Sequence, residues 1–185
     1  MDVRLPPEPL TDGVVTLRPW NPDDAAAIVS AFADPESAYW MHQVPQPYEE
    51  QDALAYIRAM KAAWRAGSGG ALAVVDAGAE VVGSIGLSVV DAHLEIVEVG
   101  YWASPAARSR GLTTRALRVL SEWLLETAGA ARLQIRADVL NAASIRVAEK
   151  AGFLREGVLR STGYNTRAGR RIDYAVYSLL PGEES

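Results

Sequence analysis

The 185-residue chain contains no cysteine, two histidines and two phenylalanines. Without thiols there is no disulfide, no thiolate metal site and no cysteine nucleophile. The same absence fits a reducing compartment, and the expected location is the cytoplasm. His42 and His93 alone are too few for the usual zinc ligand sets, so no metal is expected. No apolar run is long enough to cross a bilayer, and the opening MDVRLPPEPL lacks the apolar stretch of a secretory leader. Neither a membrane nor export is therefore expected. Surplus positive charge is also missing: 18 Lys and Arg against 23 Asp and Glu leave a net charge of −5. That argues against wholesale nucleic-acid binding. Two common phosphate-binding signatures are absent as well. There is no G-x-G-x-x-G between a strand and a helix, and no Gly-Lys pair for a Walker loop.

What remains has the composition of an ordinary globule, 49% hydrophobic and 22% charged, and a length that suits one domain over residues 1–185. Three prolines make the first dozen residues an extended arm. VVTLRP, Val14 to Pro19, alternates as a strand. Asn21 or Asp23 caps a helix with Pro22 in its first turn, DPESAYW is a short helix, and Pro45 and Pro47 interrupt the chain. A longer helix carries Leu54, Ile57, Met60, Ala63 and Trp64 at helical spacing and ends at GSGG. Three strand-like runs joined by short turns form an antiparallel meander. From Leu112 a stripe of Leu112, Ala116, Val119, Leu120, Trp123 and Leu124 marks a helix. RLQIRADV is a strand. NAASIRVAEKAGF is a short helix with Asn141 as N-cap and Gly152 past its end. Two strands follow, near Phe153–Arg160 and Ile172–Leu180. The one parallel crossover spans residues 94–139, so the class is α/β, a mixed sheet with helices on both faces.

Against the acidic trend, ARSRGLTTRAL places Arg108, Arg110 and Arg115 at the start of a helix, where acidic residues are favoured. Each misplaced charge costs roughly 0.3–1 kcal/mol unless an anion opposes it. A helix N-terminus with a preceding loop that curls its amides inward binds phosphate well, and Gly111 supplies the needed positive φ. An ordinary turn with a solvated basic face is the alternative.

The stretch VEVGYWASPAARSRGLTTRAL resembles the coenzyme A site of the GNAT superfamily of N-acetyltransferases, in particular its RimJ/RimL-like ribosomal-protein branch. VTLRPWNPDDA, NAASIRVAEKAGF, REGVLR and RRIDYAVYSLL resemble further family segments in the same order. The family mark, Arg/Gln-x-x-Gly-x-Gly/Ala, is met by Arg108 and Gly111 but has Thr113 at its end and Ser109 where a first glycine is usual.

The resemblance implies a mostly antiparallel sheet whose one parallel pair splays apart. Pantetheine would bond to the backbone of Tyr101 and Ala103 in that gap. The pyrophosphate of acetyl-CoA or CoA would meet the amides of Arg108, Ser109, Arg110, Gly111, Leu112 and Thr113, with the Arg108 and Arg110 side chains as helpers and Asn141 near the pantetheine. The implied activity is acyl transfer, most simply of acetyl, to a primary amine of a protein N-terminus, peptide or small molecule, by direct attack in a ternary complex. A non-catalytic CoA-binding module is the alternative. The family commonly forms dimers. Its frequent helix tyrosine is Ala148 here, whereas Ser144 matches the serine of the ribosomal branch as acid. Glu98 is the candidate base and Glu95 its competitor on the opposite strand face. His42 and His93 read as surface loop residues. Tyr39, Trp40, Met41, Trp64 and Tyr164 are candidates for the wall of the amine pocket. The net charge of −5 points weakly to a basic acceptor.

Overall fold

The computed structural model describes residue 1 and residues 3–183. Eight strands form one sheet: β1 (Leu10–Thr11), β2 (Val15–Pro19), β3 (Gly69–Asp76), β4 (Val81–Asp91), β5 (Ile96–Ala103), β6 (Arg132–Asp138), β7 (Leu154–Asn165) and β8 (Arg170–Leu179). Five helices accompany them: α1 (Ala25–Ala33), α2 (Pro35–Trp40), α3 (Glu50–Ala66), α4 (Leu112–Glu122) and α5 (Ala142–Lys150). The spatial order is β1-β2-β3-β4-β5-β6-β8-β7. Every neighbouring pair is antiparallel except β5 and β6. The expected meander, crossover and mixed sheet are all present.

Strand alternation sorts the core into two layers. Leu72 and Val74 of β3 join Ile85, Val97 and Val99 beneath Leu112, Ala116, Leu117 and Leu120 of α4. Ala73 and Val75 face the other way, against Ile28 and Phe32 of α1 and Ala53 and Ile57 of α3. Helices therefore cover both faces. Leu117 and Leu125, which lie off the expected α4 stripe, are buried, whereas Val119 and Trp123 are only partly so. Beyond Glu122 the helix widens into a π-helical turn, Trp123–Thr127, and the wider turn there buries Leu125 in place of Trp123.

Two boundaries differ from expectation. The proline-rich arm ends in β1, which pairs with β2 through Leu10↔Leu17 and Thr11↔Thr16. The last hairpin is also longer. β7 runs to Asn165, and β8 begins at Arg170. Ser161-Thr162-Gly163 reads locally as a turn, but it is an irregularity inside β7, with register shifts between Leu159 and Gly163 and φ 57° at Ser161. The true turn is organised by Asn165, whose Oδ1 accepts from the amides of Arg167 (3.0 Å) and Ala168 (2.9 Å).

Gly163 is required by space. A Cβ there would sit 2.6 Å from the Tyr174 ring, whereas one at Gly157 meets nothing within 4 Å. Gly163→Ala should therefore destabilise by about 1–3 kcal/mol through overpacking, and Gly157→Ala in the same strand should be near neutral. Equal melting temperatures for the two variants would remove the close approach as the reason for Gly163.

Candidate active site

The functional geometry follows from where two parallel strands part. β5 and β6 pair at Ile96↔Arg132, Val97↔Leu133 and Glu98↔Gln134, and nowhere beyond. β5 continues to Ala103 on β4, and β6 continues to Asp138 on β8. Val99–Ala103 therefore present a strand edge with no partner on the β6 side. A buried or half-buried edge demands hydrogen bonds from somewhere. The gap opens into a cleft of about 1180 Å³, lined in part by Glu98, Gly100, Tyr101, Ala103, Asn141 and Ser144.

At the β5 end, Pro105–Ala107 form a single 3₁₀ turn and the chain enters α4 through Gly111, φ 76°. No backbone acceptor among the described residues takes the amides of Ser109, Gly111, Leu112 or Thr113. Leu112 and Thr113 are first-turn positions that have no intrahelical acceptor in any α-helix. The amides of Arg108 and Arg110 instead fold back to Pro105 O and Ala107 O, both at 3.4 Å. Ser109 adopts φ 61°, the left-handed conformation for which its usual counterpart is glycine.

The arginines point elsewhere than at this cradle. Arg108 bonds to Asp34 and to Ser37 Oγ (2.9 Å), and pairs with Glu36 (2.9 Å). Arg110 pairs with Asp76 at 3.1 Å and Arg115 with Asp12 at 2.8 Å. Each of these three cations is thus neutralised by a carboxylate of the chain, which leaves the main-chain amides of Ser109, Gly111, Leu112 and Thr113 as the unpaired donors of the loop.

Across the cleft, Asn141 caps α5, its Oδ1 accepting from Ser144 N at 3.0 Å. Ser144 lies beside the phenol of Tyr101. Tyr101 Oη is 3.0 Å from Ser144 O and 3.2 Å from Ser144 Oγ. Burial of the ring pushes the Tyr101 hydroxyl up to about 12, against a smaller opposing effect from the Ser144 hydrogen bond. The hydroxyl therefore stays protonated and donating through the neutral range. Ala148 is fully buried in the core and does not line the cleft.

Glu98 sits at the last paired position of the splay. Its Oε2 accepts from Arg136 Nε (2.7 Å) and Gln134 Nε2 (3.0 Å), and its Oε1 from Arg136 Nη2 (2.9 Å). Glu95 lies just before β5 with φ 55° and pairs with the Met1 amino group at 3.1 Å. The bulge that disturbs this hairpin falls between Val89 and Asp91.

Of the expected pocket wall, Trp40 and Met41 line the cleft. Tyr39 stands behind them, with its hydroxyl on Arg170 Nε (3.3 Å) and its ring edge-on to Trp40. Trp64 is buried over Gly70, its Nε1 donating to Ala71 O, and Tyr164 is half exposed on β7. These two are therefore not wall residues. Their places are taken by Tyr56, Met60, Trp102 and Tyr174. The i, i+4 spacing of Tyr56 and Met60 was the available signal, a second α3 stripe beside the buried Ala53, Ile57 and Trp64. His42 also differs from its reading as a surface residue. It lines the cleft, and its Nδ1 is buried without a hydrogen-bond partner among the described residues. His93 is exposed in the β4–β5 turn. The described residues contain no group of three or more potential metal ligands and no helix long and apolar enough to cross a membrane.

This splayed sheet with an amide cradle defines a class, and comparison with known proteins gives the same one. Residues 15–154 match the family described as acetyltransferase (GNAT) domain, and the chain belongs to that family. It is 25% identical over 171 residues to the uncharacterized N-acetyltransferase p20 of Bacillus licheniformis, covering 91% of this chain and 94% of that protein. It is 27% identical over 85 residues to the ribosomal-protein-serine acetyltransferase of Escherichia coli, covering 46% of this chain and 48% of that protein. The structure of Mycobacterium smegmatis RimJ in complex with CoA-disulfide superposes with a TM-score of 0.84 at 23% identity, covering 95% of this chain and 87% of that one. The protein is thus a GNAT-type N-acetyltransferase with a RimJ/RimL-like fold.

Positive φ at Ser109 costs about 1 kcal/mol, and its side chain is exposed. Ser109→Gly is expected to raise the melting temperature by about 2–4 °C per kcal/mol of strain relieved. A lower melting temperature by calorimetry would mean that the serine contributes more than it strains.

Proposed function

We propose that this enzyme transfers an acetyl group from acetyl-CoA to the primary amine of a protein N-terminus. The observation that carries this reading is the combination of an unpaired β5 edge, free amides at the head of α4 and the Tyr101–Ser144 pair around one cleft. Together they suit a long ligand with a peptide-like arm and a diphosphate. The Val99–Ala103 edge, including the backbone of Tyr101 and Ala103, would accept the pantetheine as an added strand. The amides of Ser109, Gly111, Leu112 and Thr113 would surround the pyrophosphate. The Asn141 amide group would serve the pantetheine while its oxygen caps α5. When bound, acetyl-CoA supplies the thioester that is attacked. The protein-acceptor reading draws on the E. coli relative, which is named for a ribosomal protein.

The chain's own residues then have three tasks: accepting the amine's proton, holding developing charge and returning a proton to the departing sulfur. Ser144 Oγ is assigned the last. Tyr101 Oη donates its one hydrogen to Ser144 O (3.0 Å) and so accepts from Ser144 Oγ (3.2 Å), which holds the serine hydroxyl at the cleft; its hydrogen turns from Tyr101 to the sulfur as the proton is passed. Glu98 is assigned the amine's proton, directly or through water, with Gln134 and Arg136 fixing its carboxylate at the start of the gap. With no cysteine in the chain, transfer runs directly from donor to amine.

The test is incubation with acetyl-CoA and peptides of defined N-terminus, reading thiol release and the mass gain of one acetyl group. No release with any primary amine, from protein that binds CoA, would leave a binding module instead. Gly111→Asp should abolish CoA binding by placing a carboxylate among the amides. Ser144→Ala should lower kcat by about 10²-fold, the lower end expected for losing a general acid, with CoA affinity retained, and Tyr101→Phe should lower it less. Glu98→Gln should lower kcat with CoA affinity retained; an unchanged kcat would leave Glu98 as a clamp between β5 and β6 alone.

A further inference from the structure

Arg108 stands at the meeting of two halves of the cleft. It belongs to the anion loop by sequence, yet its guanidinium is directed across the cleft wall to α2. One Nη donates to Asp34 Oδ2 and to Ser37 Oγ (2.9 Å), and the other pairs with Glu36 Oε2 at 2.9 Å. Asp34 is the N-cap of α2, its Oδ2 also accepting from Ser37 N at 2.9 Å. The Arg108 guanidinium holds the Asp34 carboxyl down at about 2. Turning Arg108 toward a diphosphate would strip two carboxylates of their cation and the short helix of its anchor.

What α2 carries makes that anchor matter. It ends at Trp40 and leads into Met41 and His42, and all three line the cleft. The far end of the same segment is gripped by the β7–β8 turn. Asn165 Nδ2 donates to Tyr39 O (3.1 Å), Thr166 Oγ1 to His42 O (3.2 Å) and Arg167 Nη2 to Val44 O (2.6 Å). Residues 34–44 are thus suspended between Arg108 at one end and the hairpin at the other.

We propose that Arg108 is a positioning residue for the amine acceptor, setting the α2 wall of the acceptor pocket through Asp34, Glu36 and Ser37, and not a ligand of the pyrophosphate. This rests on the reading of the cleft as an acetyltransferase site. It assigns one side chain of the anion loop to acceptor selection.

The experiment compares wild type with Arg108→Ala, Asp34→Asn and the double variant. CoA affinity is read by calorimetry, folding by thermal melts, and kcat and KM for an N-terminal peptide at saturating acetyl-CoA. The expected result for Arg108→Ala and Asp34→Asn is a CoA Kd within about twofold of wild type and an acceptor KM raised about tenfold, the signature of lost acceptor positioning. The double variant should be no worse than Arg108→Ala, because that change already removes the contact that Asp34→Asn breaks. Arg108→Lys should restore part of the acceptor KM, keeping charge without the forked geometry. A CoA Kd weakened tenfold or more by Arg108→Ala but not by Asp34→Asn would make Arg108 a pyrophosphate ligand and overturn the proposal. An unchanged acceptor KM in both single variants would overturn it too. Should Arg108→Ala fail to fold, Asp34→Asn alone decides, since it leaves the arginine in place for CoA. Absence of CoA binding or of thiol release by wild type would instead defeat the acetyltransferase reading itself.

Discussion

Three residue pairs hold β5 to β6, and then the two strands separate. Everything at the site depends on that interruption. A sheet that stayed closed would satisfy its own amides and leave no groove. Here each strand keeps a full ladder on its outer side, β4 for one and β8 for the other, so the opening is supported by the rest of the sheet. Glu98 and Arg136 bracket its origin. The head of α4 and the head of α5 then reach the same opening from one face, which brings free amides and a hydroxyl pair to a single cleft.

The electrostatics of the cleft are more balanced than the chain's charge suggests. Glu36, Glu98 and Asp138 line it, and each is met by an arginine: Arg108, Arg136 and Arg170. A global charge therefore says little about a site whose charges are paired off locally.

The periodic part of the structure was legible from the residues. The meander, the crossover helix, the cap at Asn141 and the left-handed entry at Gly111 all follow from local pattern. What escaped depends on contacts far apart in sequence. The Arg108–Asp34 contact joins residues 74 positions apart, Tyr101 and Ser144 are 43 apart, and Asn165 reaches Tyr39 across 126. An arginine beside a glycine loop reads as a phosphate helper until its partner is visible, and a strand tyrosine reads as core until a helix terminus meets its hydroxyl. The β7 extension was hidden for the opposite reason. Ser-Thr-Gly is sound turn chemistry, but here tertiary packing against Tyr174 uses it as an interruption within a strand.

The hairpin that grips the segment after α2 takes hold of carbonyl oxygens, at Tyr39, His42 and Val44. Such holds are indifferent to side-chain identity, since every residue offers the same carbonyl. Trp40, Met41, His42 and Gln43 can thus be exchanged while the scaffold that presents them stays fixed. The fold thus mounts a short run of variable cleft-lining side chains on a main-chain support that does not depend on them.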